Sequence, residues 1–77
     1  MASLDQLSAG QSARIEKLVG SDAIVQRLYE MGFLEGETIE VIGVAPLGDP
    51  IEVRLNDCRL SLRRSEAARL EVARLPS

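Results

Sequence analysis

Two alternating runs on either side of Asn56-Asp57 constrain this chain more than any other feature. Ile51, Val53 and Leu55 alternate with Glu52, Arg54 and Asn56. Then Cys58, Leu60 and Leu62 alternate with Arg59, Ser61 and Arg63. A period of two puts each apolar set on one face of a strand. Asn and Asp both tolerate positive φ, so Asn56-Asp57 reads as a two-residue hairpin turn. The phase predicts that Cys58, Leu60 and Leu62 point into a core. A chain committed to such a hairpin needs further strands or a helix to cover its apolar face.

The rest of the chain supplies them. Ala13 and Ile15 alternate with Arg14 and Glu16, which predicts a half-buried first strand over Ala13–Lys17. Leu4 and Leu7 before it are spaced like a short apolar anchor, and Gly10-Gln11 reads as a turn. Ile24, Leu28 and Met31 recur at i, i+4 and i+7, so Ser21–Met31 reads as a helix with Ser21 as N-cap and Asp22 in its first turn. Gly32 follows at the position where a left-handed residue ends a helix. That places Phe33 against Leu28 in the apolar contact of a Schellman stop.

After a turn at Leu34–Glu37, the segment Thr38–Val44 is β-branched and strand-like, but its phase conflicts. Ile39 and Val41 share one face, and Ile42 and Val44 share the other. Either both faces are covered or a bulge near Gly43 bends the strand. The loop Ala45–Pro50 then breaks the pattern, since its two prolines cannot donate to a ladder. Pro46 fits i+1 of a turn and Gly48 fits i+3. Ser65 can cap one helical turn over Glu66–Arg69. Leu70 and Val72 point inward from a last strand, and a tail from Arg74 is expected to fray. Five short strands with one helix between the first and second, and a helical turn before the last, read as a small, mainly β, partly open barrel. Its 77 residues make a single domain, 1–77.

Several chemistries find little support. There is no histidine, and hence neither the commonest general base nor the commonest metal ligand. Ser21 and Ser65 read as helix caps, and Cys58 as a packed thiol. Glu35, Glu37 and Glu40 fall on a turn and an exposed strand edge, where solvated carboxylates are the rule. The glycines do not match a phosphate-binding loop. The chain therefore reads as a non-enzyme, with no defined metal site and no cofactor, although surface carboxylates can hold a divalent ion weakly. Arg59, Arg63 and Arg64 form a modest basic cluster without stacking aromatics, in a chain of net charge −3, so nucleic acid is not the expected partner. Residues 1–53 carry three basic and nine acidic side chains, and residues 54–77 carry six arginines and three acids. Unless folding mixes these halves, the domain has an acidic and a basic face. No apolar run approaches membrane-spanning length, the N-terminus lacks the pattern of a signal peptide, and a single cysteine fits a reducing compartment. The expected location is the cytoplasm.

Recognition of another protein remains. Two features are candidate contact surfaces: the loop Pro46, Leu47, Gly48, Asp49 and Pro50, and the helix end at Met31 and Phe33. Leu47 is the sharper of the two, because a leucine between turn-formers has few ways to bury itself.

The ordered set Met31-Gly32-Phe33, the Gly36 turn, the loop Ala45–Pro50 (APLGDP), and Leu60-Ser61-Leu62-Arg63 leading into Glu66-Ala67 resembles the FeoA family, the ferrous iron transport protein A group. The resemblance runs from about residue 4 to residue 73. It implies an SH3-like barrel and a bacterial cytoplasmic accessory, held at the inner membrane through FeoB, the membrane transporter of ferrous iron. The implied role is to bind FeoB and to support or regulate Fe²⁺ uptake, with no established catalytic residue. Asn56-Asp57-Cys58 departs from the family's frequent glycine and aromatic at that hairpin. The same SH3-like domain resembles the C-terminal domain of diphtheria-toxin-repressor-type iron regulators, which suggests a protein-interaction or metal-sensing module as the alternative. The helix-turn-helix that accompanies it there is missing here, and a proline-recognising groove would need more aromatics than Tyr29 and Phe33.

Overall fold

A computed structural model describes residues 2–76. The elements run in the order β1 (Ala2–Ser3), a 3₁₀ turn (Leu4–Gln6), β2 (Ser12–Leu18), α1 (Ala23–Glu30), β3 (Thr38–Val44), β4 (Ile51–Leu55), β5 (Cys58–Leu62), α2 (Arg64–Ala67) and β6 (Leu70–Arg74). The six strands form one antiparallel sheet in the order β1-β6-β2-β3-β4-β5. The sheet is not closed, because β1 and β5 do not pair. It curls around a core in which Ile15, Ile39, Val41, Val53, Leu62 and Val72 are fully buried, and Leu4, Leu28 and Phe33 fill it from the helical side. The architecture is the mainly β, partly open barrel expected, with one strand more.

The extra strand is Ala2–Ser3, which pairs with Val72 and Glu71. Two residues are too few to show alternation. Leu4 and Leu7 behave as the anchor expected of them and are buried. At the other end, Arg74 pairs with Ala13, and the Leu75 N–H donates to the Ser12 carbonyl at 2.9 Å. The expected fraying therefore does not hold at Arg74 and Leu75, because β2 offers these residues ladder partners. Ser77 lies outside the described residues.

The phase conflict in β3 resolves as a bulge. The register shifts between Val41 and Gly43, so Ile42 is skipped and Val44 comes back into line with buried Ile51. Ile39, Val41 and Val44 thus share the core side, although Val44, at the strand's end, is half-exposed. A second shift between Ile15 and Lys17 lets Ala13, Ile15 and Leu18 all face the core. Bulges of this kind add the local twist that bends strands around a small core.

The helix stop is the Schellman motif expected. The Phe33 N–H donates to the Leu28 carbonyl, and the Gly32 N–H to the Tyr29 carbonyl, each at 3.0 Å, with Gly32 at φ +100°. The helix start differs. Asp22, not Ser21, is the N-cap, and Ser21 lies exposed outside the helix. The Asp22 carboxylate is gripped by Arg69 through two bonds of 2.9 Å, a partner 47 residues away. The buried face is centred on Val25 and Leu28, with Ile24 and Met31 packed at its margins. The second helical turn begins at Arg64, with Arg63 as its N-cap and Ser65 inside it. Glu66 decides that boundary: its carboxylate accepts the Arg63 N–H at 2.9 Å and sits 3.2 Å from Arg27 of α1.

Folding also mixes the two charge halves. Five ion pairs join residues 1–53 to residues 54–77: Arg27–Glu66, Glu40–Arg54, Glu52–Arg59, Asp5–Arg64 and Asp22–Arg69. Separate acidic and basic faces therefore do not form from the imbalance along the chain.

Candidate functional site

The loop between β3 and β4 is closed at its base and latched from outside. The Ala45 N–H donates to the Pro50 carbonyl at 3.1 Å, and the Gly48 N–H to the Ala45 carbonyl at 2.7 Å. This is the turn with Pro46 at i+1 and Gly48 at i+3. Gly48 takes φ +88°, a left-handed conformation that favours glycine. The Asp49-Pro50 peptide is cis.

Arg64, the first residue of α2, supplies the latch. Its Nε donates to the Gly48 carbonyl at 2.9 Å, its backbone N–H to Asp49 Oδ1 at 3.0 Å, and its Nη1 to the Asp5 carbonyl at 2.8 Å. One guanidinium thus ties the loop to the 3₁₀ turn near the N-terminus. In the sequence Arg64 is one member of a basic cluster. Only the 59-residue separation that folding closes gives it this role.

Leu47 stands at the tip, 98% exposed, whereas every other large exposed apolar side chain among the described residues lies between 37% and 46%. A latched backbone that holds a fully solvated leucine offers an apolar knob at low ordering cost. Half-exposed Val44 and a hollow of about 300 Å³ bordered by Val44, Ala45, Pro50 and Ser61 lie beside the loop. Val44 was not expected as part of this surface, because its place depends on the bulge.

The helix end behaves differently. Phe33 is fully buried and offers no surface, because the Schellman turn folds it back into the core. Met31 is half-buried against that core. Nor does the helix end adjoin the loop. A side-chain carbon placed on Gly32 would meet Leu55 Cδ2 at 3.6 Å, at the far end of β4 from Ile51, where the loop enters. At the usual strand rise the two ends are about 13 Å apart. The candidate surface reduces to Pro46, Leu47, Gly48, Asp49 and Pro50 with Val44.

Cys58 also needs correction. It faces the core side, paired with Leu55, yet it is exposed because it lies at the outer end of the edge strand, where nothing covers it. Near the end of α1, the Tyr29 hydroxyl donates to Glu35 Oε2 at 2.6 Å, which holds the Glu35 carboxyl below its ordinary range and raises the tyrosine. The Asp22 carboxyl is likewise held low, chiefly by its hydrogen bonds from Arg69. Among the described residues, no group of three or more Cys, Asp or Glu side chains is placed to hold a metal ion, and no helix is long and apolar enough to cross a membrane.

Comparison with known proteins bears on the family and the fold. The family model of the FeoA domain matches residues 2–74. A curated protein of Porphyromonas gingivalis, described as a fusion of Fe(2+) transport protein A with the Fe(2+) transporter FeoB, is 42% identical over 74 residues, 96% of this chain. The chain spans only 9% of that protein's length. The solution structure of a FeoA-like protein from Clostridium acetobutylicum superposes with a TM-score of 0.93 at 32% identity, covering 99% of this chain and 88% of that one. The FeoA protein of Stenotrophomonas maltophilia, crystallised with zinc and described as a prokaryotic SH3 domain protein, gives 0.83 at 35% identity, covering 95% and 91%. A manganese-dependent transcriptional repressor shares the fold, with a TM-score of 0.88 at 15% identity over 96% of this chain and 41% of its own. That identity speaks for the fold alone. A match that runs through nearly every residue, with the same SH3-like sheet in the solved relatives, leads to one conclusion: the chain belongs to the FeoA family.

Proposed function

We propose that this domain is a cytoplasmic accessory of bacterial ferrous iron uptake that binds a FeoB-type membrane transporter and supports or regulates its Fe²⁺ transport. The observation that carries this reading is the P. gingivalis relative, in which a FeoA segment and the transporter share one polypeptide. Fusion holds two domains at an effective concentration far above that of separate chains, and is useful where they must meet. Iron is the transporter's cargo in this reading, and this domain needs no ligand set of its own.

The contact we assign is the loop Ala45–Pro50, with Leu47 as its anchor and Val44 beside it. Apolar anchors on a pre-ordered backbone are the economical way for a small domain to bind, because little freedom is lost on docking. The Arg64 latch supports the same reading, since it orders a loop whose tip has no role in the core. The experiment is a titration of the isolated cytoplasmic part of FeoB with the wild-type chain and with Leu47→Asp. Saturable binding by the wild type and a large loss in the variant are expected. Equal affinities remove the loop as the contact, and no binding by either removes the partner.

A further inference from the structure

The open edge of β5 has a feature that the core does not explain. In a two-residue hairpin, the residues flanking the turn exchange both backbone bonds. Leu55 and Cys58 are that pair. Cys58, Leu60 and Leu62 therefore turn their backbone groups toward β4, and Arg59 and Ser61 turn theirs outward, to the edge of the sheet. Natural edges are blunted by charged side chains, proline, a bulge or extreme shortness, and of these β5 has only the charge of Arg59. β5 has five residues, no proline and an unbroken register with β4. On its core side, Cys58 is exposed and Leu60, packed against the core, is only half-buried, so one apolar group stands uncovered and one partly covered along that edge.

We propose that this edge is an interface between two copies of the chain, paired β5 to β5, antiparallel, about a twofold axis at Leu60. The charges select both occupant and register. Outward-facing residues must pair with each other, which leaves three central registers. Centring on Arg59 sets arginine opposite arginine. Centring on Ser61 sets Arg59 opposite Arg63 twice. Centring on Leu60 sets Arg59 opposite Ser61 twice, and at each end of the ladder it brings Asp57 of the hairpin turn beside Arg63. Directly opposed like charges destabilise a strand pair and opposed unlike charges support it. Only the Leu60 register avoids the first and gains the second. Among the described residues, Asp57 and Arg63 form no ion pair within the chain, whereas Arg59 already has an exposed partner in Glu52 at 2.8 Å. The same register sets Leu60 against Leu60 and Cys58 against Leu62 on the core side. The opposite edge, β1, is two residues long, so the pairing closes as a dimer and does not propagate into a fibre.

Sedimentation velocity of the full chain over a concentration series tests this. The wild type is expected to shift from monomer to dimer with rising concentration. Ser61→Pro removes an outward N–H that β4 does not use, so it should keep the circular dichroism spectrum and abolish the dimer. Asp57→Arg and Arg63→Asp should each weaken association roughly tenfold, the scale of two exposed ion pairs lost together, and the double exchange should restore it. A wild type monomeric to millimolar concentration overturns the proposal, as does a dimer indifferent to Ser61→Pro or an exchange that does not restore association. Should Ser61→Pro fail to fold, cysteine trapping decides. In a Cys58→Ser background, Leu60→Cys places identical thiols across the axis within disulfide reach. It should cross-link under mild oxidation faster than Arg59→Cys, which faces Ser61, and equal rates sink the register.

Discussion

Leu47 allows stability and binding to be separated. Its side chain is 98% exposed, so truncation to alanine leaves no cavity and removes no buried contact. Surface changes of this kind stay within about 0.5 kcal/mol. For a domain of this size that is a shift in Tm of at most about 4 °C. Binding should respond very differently. If Leu47 enters an apolar pocket on FeoB, Leu47→Ala withdraws three carbons from burial, at about 0.8 kcal/mol each. The loss of about 2.4 kcal/mol is a factor of roughly 50 in Kd. Leu47→Asp should cost more, because a carboxylate must also be stripped of water in the same pocket. The assay pairs calorimetric titration against the FeoB cytoplasmic part with thermal unfolding of each variant. Two results refute the reasoning. A change in Kd below about threefold means that Leu47 stays solvated in the complex. A fall in Tm beyond about 8 °C, equivalent to 1 kcal/mol or more, means that the loop tip supports the fold after all.

Other perturbations have equally definite outcomes. Arg64→Ala deletes the bonds to the Gly48 and Asp5 carbonyls; it should cost about 1–2 kcal/mol in urea unfolding and speed amide exchange at Gly48, and Arg64→Lys should recover only part of this because a point donor cannot span both carbonyls. Glu66 is the one buried charged side chain among the described residues, and Glu66→Ala should destabilise by about 1–2 kcal/mol by removing the acceptor of the Arg63 N–H, while Glu66→Gln, which keeps an acceptor, should cost less in the same unfolding assay. The Asp22 carboxyl is held below its ordinary range by Arg69, so its pair contributes stability above the unfolded aspartate value of about 4 and loses it as pH falls through the lower folded value. Asp22→Asn should therefore flatten the acid limb of the stability–pH curve, measured by urea midpoints, with no change in slope near neutrality.

The elements of this fold were readable because they are local. The hairpin at Asn56-Asp57, the bent strand Thr38–Val44 and the Gly32 stop depend on periodicity, turn chemistry and a single left-handed glycine, all encoded within a few residues. Even the conflict of phase in β3 was a correct signal, since a bulge is what that pattern produces. Where the local reading erred, a distant group had intervened. Arg69 holds the Asp22 carboxylate, Glu66 reaches back to start α2 at Arg64, and β2 pairs with Arg74 and Leu75 where a loose tail was expected.

The candidate site divides along the same line. Leu47 was legible, because proline and glycine on either side deny it a core. Phe33 reads both as the Schellman contact of Leu28 and as a candidate surface, and only the first holds, since the contact that ends the helix also buries the ring; Cys58 reads as buried but is exposed, since alternation gives the direction of a side chain and not what covers it. By itself the sequence determined which residues turn, which alternate and which cannot be buried, because those follow from backbone geometry at short range. Only the tertiary structure decided that Arg64 latches the loop, that the helix end lies at the other end of β4, and that β5 is an edge. These depend on residues far apart in the chain arriving at the same place.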